Sequence, residues 1–168
     1  MKNAIAVLRS KSRRRGFSLA ELLIGVAIMG ILTAVSLPRF GQLRTRSQLN
    51  AAMSHFQRLV MAARQSAIQR GKPAYFKTDG TNLWVTLDTT GNNTDSVVVV
   101  RALSLPTMYH VSIIEPSGTT SIKYDPRGIA TQSSKTVFKF KSTSSSATTY
   151  QDSLCVSKLG NTIRERCP

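Results

Sequence analysis

The chain has 168 residues, with 23 Lys and Arg against 8 Asp and Glu, a formal net charge of +15. That length is one ordinary domain's worth and leaves little room for a two-domain enzyme, while 41% hydrophobic residues exclude a disordered chain. Two cysteines exclude a cysteine-dense scaffold, and the charge points to an anionic partner, nucleic acid or lipid headgroup.

Residues 1–16 hold Lys2, Arg9, Lys11, Arg13, Arg14 and Arg15 and no acid. They read as a basic leader, and the chain without them stays basic. Residues 17–38, FSLAELLIGVAIMGILTAVSLP, carry Glu21 as their only charge. A run of this length suffices for one membrane-crossing helix, since a ~30 Å hydrocarbon core needs ~20 apolar residues. The basic block before it is expected to stay cytoplasmic and the rest of the chain to be carried outward. A plain anchor, a cleaved secretory signal and a buried core helix are the other readings of the run. Glu21 sets it apart from these, because a carboxylate within the bilayer costs about 2.5–3.5 kcal/mol and needs a partner. Cleavage after Gly16 would make Phe17 a free amine, a cation able to pair with such a carboxylate in the same low-dielectric layer.

Pro38 predicts a kink at the end of the apolar run. An amphipathic helix over residues 39–70 follows. Leu49, Ala52, Met53, Phe56, Leu59, Val60, Ala63 and Ala67 keep the i, i+3, i+4 rhythm of a buried stripe, and Arg39, Arg44, Arg46, Arg58 and Arg64 fall mostly off it. Arg70-Gly71 and then Pro73 signal the stop. A continuous helix over residues 17–69 would be about 80 Å long.

Residues 71–168 read as a β-rich head. Strands are predicted over 74–77, 83–87, 96–103, 111–114, 121–124, 136–141 and 154–157, divided by Gly80, Gly91-Asn92-Asn93, Pro106, Pro116-Ser117-Gly118 and Pro126-Arg127-Gly128. One antiparallel sheet is expected, and the polar run 142–149 reads as a hairpin loop or flexible insertion. The fold class is α+β, a long N-terminal helix packed on an antiparallel sheet.

The segment Arg15-Gly16-Phe17-Ser18-Leu19-Ala20-Glu21-Leu22-Leu23 resembles the prepilin signature of type IV pilin-like proteins, with Ala20 where a larger aliphatic residue is common. The resemblance implies cleavage after Gly16 by a membrane peptidase that also methylates the new amine of Phe17. It implies a single-pass inner-membrane precursor with its head in the periplasm, and later a place among other pilin or pseudopilin subunits, Glu21 pairing with a neighbour's N-terminus. Ala62-Ala63-Arg64-Gln65-Ser66-Ala67-Ile68-Gln69-Arg70-Gly71 and Tyr124-Asp125-Pro126-Arg127-Gly128 are similar to segments of the GspH/FimT type of minor pilin or pseudopilin. The departures are Gln65, Ser66 and a Trp-rich stretch reduced to Trp84.

Cys155 and Cys167 lie twelve positions apart in a part of the chain expected outside the cytoplasm. A disulfide is expected, closing a loop worth about 3 kcal/mol in the chain-entropy model, with two free buried thiols as the alternative. The segment between them displays Lys158, Arg164 and Arg166, and a strand over 162–166 would put both arginines on one side with Glu165 opposite. The pair fits a phosphate backbone, and it equally fits a solvated basic edge that resists aggregation. The family's DNA-uptake members carry a Gly and closely spaced Arg here, which Gly160, Arg164 and Arg166 match loosely.

No catalytic motif, cofactor loop or metal-ligand spacing stands out, so no enzyme, cofactor or metal is expected. His55 and His110 read as surface or packing residues, and Asp79, Asp88, Asp95, Asp125 and Asp152 as turn residues. Two functions are expected ahead of a secreted enzyme held by a signal anchor. One is a structural minor subunit of a type IV pilus or type II secretion pseudopilus; the alternative is a DNA-binding minor pilin acting in DNA uptake.

Overall fold

A computed structural model describes residues 17–90, 96–143 and 150–164, less the side chains of 35, 37–39 and 96. The run 142–149 therefore lies mostly outside the described residues. Two compact units divide the chain, Met1–Arg39 and Phe40–Pro168. Helix α1, Leu19–Arg70, contributes to both and runs through Pro38, where the ring removes one ladder hydrogen bond.

Within the first unit α1 carries exposed Leu19, Leu22, Leu23, Ile24, Val26, Ile28, Met29, Ile31 and Leu32. Among the described residues, no helix is long and apolar enough to cross a membrane. Thr33 and Ser36 turn their hydroxyls onto the carbonyls of Met29, Gly30 and Leu32, so neither polar group is left without an acceptor.

In the second unit the whole predicted stripe of α1, from Leu49 to Ala67, is buried. The helix ends as its sequence demands: Gly71 takes φ +60 and donates its N–H to the Ile68 carbonyl, and Pro73 follows. Eight strands come next: β1 Ala74–Thr78, β2 Asn82–Asp88, β3 Ser96–Ser104, β4 Val111–Glu115, β5 Thr120–Tyr124, β6 Thr136–Ser142, β7 Gln151–Val156 and β8 Thr162–Arg164.

They form two antiparallel four-stranded sheets, in the orders β3-β2-β1-β5 and β4-β6-β7-β8, where the sequence predicts one. The division follows from helix α2, Leu105–Tyr109, which the strand pattern does not reveal. Pro106 sits in its first turn, where no donor is needed, and Leu105 is fully buried. His110 closes the turn in a left-handed conformation and donates its N–H to the Pro106 carbonyl. The chain leaves α2 into a second sheet, and β5 then returns to pair with β1, Ala74 opposite Tyr124 and Phe76 opposite Ile122.

Phe56 of α1 joins these layers. It is fully buried, with its ring 4.7 Å from those of Phe76 in β1 and Phe138 in β6, and 5.4 Å from Phe140. One aromatic side chain thus touches both sheets, at separations where edge-to-face contacts add to the burial of apolar area. The β1–β2 turn is fixed differently. Burial is the largest single influence on Asp79 and raises its pKa, but donation to its carboxylate from the side chains and N–H groups of Asn82 and Thr81 together outweighs this and holds it at about 2.

Candidate functional site

The N-terminal site begins at Phe17, 84% exposed; Gly16 lies outside the described residues. Ser18 caps α1, its Oγ accepting the Glu21 N–H at 3.2 Å and its carbonyl accepting the Leu22 N–H. Glu21 is the acid of the first helical turn and is exposed. A carboxylate there is favoured by the positive end of the helix dipole. The sequence reading treats Glu21 only as an assembly residue, yet Ser18-x-x-Glu21 is also the capping-box spacing, the signal that marks where α1 starts.

The two segments of the head that resemble the pilin family meet in space. Tyr124, fully buried at the end of β5, donates its hydroxyl to the Gly160 carbonyl at 3.1 Å. Burial pushes its phenol up to about 12, against a smaller opposing effect of Arg64. Gly160, at φ +81, leaves no room for a side chain: a Cβ would fall inside the contact radius of Tyr124 Cε1, 2.9 Å from its Oη and 3.0 Å from Ala130 Cβ. Gly128, at φ +78, lies under α1, where a Cβ would come within 2.6 Å of Ile68 Cδ1 and 3.3 Å of Arg64 Cγ.

Asp125 organises the turn between these glycine contacts. Its Oδ1 accepts from the N–H groups of Ile129 and Arg127 and its Oδ2 from Arg127 Nε, led by the Ile129 contact, which lowers its pKa. Arg64 Nη1 donates to Asn161 Oδ1 at 3.2 Å, so the helix end, the β5 turn and the β7–β8 turn form one packed junction. Asn161 is a member the sequence reading misses. Its separation from Arg64 by 97 positions gives no local signal.

The tail is placed in part. Cys155 in β7 is buried and carries no free thiol; Cys167, its predicted partner, lies outside the described residues, as does Arg166. Lys158 is exposed on the β7–β8 turn and, with Lys135, Ser134, Cys155, Ser157 and Ile163, lines a groove of about 430 Å³. Arg164 points elsewhere: its Nη2 donates to Asp152 Oδ2 at 3.1 Å and to Asn50 Oδ1 of α1. Asp152, expected in a turn, stands in β7 opposite Phe140, because the strand starts at Gln151, earlier than its apolar residues suggest. His55 is half-buried beside Tyr109 at 6.1 Å.

A long helix that opens on a capped Phe-Ser-Leu-Ala-Glu segment and buries its later half across antiparallel strands defines the class of type IV pilin-like proteins. Within that class the chain belongs to the GspH family, whose model, described as type II transport protein GspH, matches residues 52–160. The prokaryotic N-terminal methylation motif matches residues 11–37. The fold is similar to that of the type IV minor pilin FimU of Pseudomonas aeruginosa, at a TM-score of 0.53 and 14% identity over 72% of this chain and 90% of that one. Among curated proteins, a fimbrial protein of Pseudomonas aeruginosa is 44% identical over 59 residues, 35% of this chain and 38% of the relative. The type IV major pilin protein PilA of Myxococcus xanthus is 43% identical over 56 residues, 33% of this chain and 26% of the relative. The chain thus spans less than half the length of these curated relatives.

Proposed function

We propose that the chain is a non-enzymatic minor subunit of a type IV pilus or of the related type II secretion pseudopilus. Residues 1–16 are the leader, removed after Gly16 by a prepilin peptidase that methylates the amine of Phe17. Residues 17–38 hold the precursor in the inner membrane with its head in the periplasm, and Glu21 pairs with a neighbouring subunit's N-terminus as the chain enters the filament. Residues 39–70 dock the head, residues 71–168, and a disulfide between Cys155 and Cys167 secures its tail.

The observation that carries this reading is one helix holding both parts. The methylation-motif match covers its start and the GspH match begins at residue 52 on its buried stripe. Mass spectrometry of the membrane-extracted protein tests it: the mature chain is expected to begin at methylated Phe17, and Gly16→Arg to block the cut. Glu21→Ala should be cleaved yet enter filaments poorly. An N-terminus beyond Ala34 would refute the reading in favour of an ordinary signal peptide.

A second reading, DNA contact by the tail, has Lys158 and Lys135 on one groove in its favour. Arg164 adds less, being engaged by Asp152 and Asn50. Non-specific binding of duplex DNA should weaken with log salt by about 0.9 per phosphate contact. Replacing Lys158 and Arg166 by Gln should flatten that slope, and no binding at low salt would remove this reading.

A further inference from the structure

The face of α1 turned away from the sheets has a consistent composition. Phe40, Leu43, Arg44, Ser47, Ala51, Ser54, Arg58, Met61 and Gln65 recur at the three- and four-residue spacing of one helix face, opposite the buried stripe, and all of them are exposed, while Ile68 at its edge lies over Gly128. Phe40 is 70%, Leu43 63% and Met61 56% exposed. Large apolar residues stand at both ends, small residues at Ser47, Ala51 and Ser54 between them, which lets a second helix approach closely along the middle. Arg44 and Arg58 lie four turns apart, about 21 Å along the axis.

The charge decides what fits. Beyond Glu21 the sequence has no acid until Asp79, so every charge on this part of α1 is positive. A second copy would bring arginine against arginine. A phosphate polymer would neutralise the arginines but leave Phe40, Leu43 and Met61 in water.

We infer that this face docks an acidic helix from a different subunit, one that runs nearly parallel to α1 and carries carboxylates about four turns apart, opposite Arg44 and Arg58. The seam therefore selects unlike neighbours and disfavours a filament of this chain alone. The inference rests on the filament-subunit reading only in calling the partner a subunit.

The test uses the full chain itself as the acidic helix. R44E/R58E reverses both charges of the face, so a parallel pair of this variant with the parent chain sets Glu against Arg at both positions. A photocrosslinking amino acid at position 54 in detergent-solubilised full-length protein reads the contact, and mass spectrometry of the same sample reads the N-terminus. The mixed pair is expected to crosslink about fivefold more than the parent with itself, a gain that fades at high salt. R70E/R101E, with the same charge change at exposed positions off this face, should give no such gain.

Equal crosslinking of the parent with itself and with R44E/R58E would overturn the inference, as would a gain from R70E/R101E. Crosslinks confined to detergent or lipid would overturn it too, marking the face as a membrane-surface contact. An N-terminus other than Phe17 refutes the processing reading without altering the crosslink result, so the two failures are separable.

Discussion

Gly160→Ala is the sharpest probe of the junction that joins the helix end to the tail. Two costs combine there. A side chain at φ +81 occupies the left-handed region, which costs about 1–2 kcal/mol for a residue other than glycine. The added methyl also meets the ring and hydroxyl of Tyr124 and Cβ of Ala130, and overpacking of a buried site costs about 1–3 kcal/mol more. The sum, about 2–5 kcal/mol, is a large share of the roughly 5–15 kcal/mol that holds a domain folded. At about 4 °C per kcal/mol for a head of this size, Tm should fall by roughly 8–20 °C. Gly118→Ala is the control, because Gly118 has φ +84 but open space around its Cβ position, leaving only the backbone cost. Its Tm should fall by about 4–8 °C. Thermal melts of the detergent-solubilised chain followed by near-ultraviolet circular dichroism separate the two. Equal losses would refute the close approach of Gly160 to Tyr124 and with it the junction.

Phe56→Ala should cost about 3–5 kcal/mol, since it opens a cavity shared by both sheets, and a denaturant midpoint close to the parent's would contradict its central place. Tyr124→Phe leaves the buried Gly160 carbonyl without its donor and should cost about 1–3 kcal/mol. Because the folded phenol stays protonated up to about 12 while the unfolded one ionises near 10, the parent's stability should fall as pH rises through that window, and Tyr124→Phe should lose this slope. His55 works at the other end: burial, with Arg58 adding to it, lowers its pKa below 6.5, so the unfolded chain binds the proton first and stability should fall as pH drops below that value. His55→Gln should flatten that acid limb in melts taken across pH, and an unchanged limb would place its origin elsewhere.

Elements with a strong local period were legible in the sequence. The α1 stripe needed only the spacing of Leu49, Met53, Phe56 and Val60, and the stop at Gly71 only its glycine and the proline beyond. Helix α2 was not, because five residues make little more than one turn and Pro106 reads as a breaker when it is in fact placed where a helix begins. Missing α2 meant missing the second sheet. The tail failed for another reason: strand alternation gives the side of the sheet on which Arg164 lies, but only the packing of β8 beside α1 reveals that Asn50 and Asp152 wait there. Gly128 and Gly160 were visible as turn residues, and their second duty, admitting Ile68 and Tyr124, depends on contacts 60 and 36 positions away in a sequence that carries no trace of them.

The strand order also dictates a timetable. A chain delivered N-terminus first emerges with β1, β2 and β3 able to zip together at once, yet the free edge of β1 stays open until residues 120–124 arrive. β4, which comes out before them, has no mate until β6 follows, and β7 and β8 come last. Neither layer can therefore close before the other has started. For most of its delivery the head is a set of unmatched edges and an uncovered apolar helix, the state most exposed to mispairing and proteolysis. Tyr124, whose hydroxyl finds the Gly160 carbonyl only once the final hairpin has turned, must wait for a residue that emerges 36 positions after it.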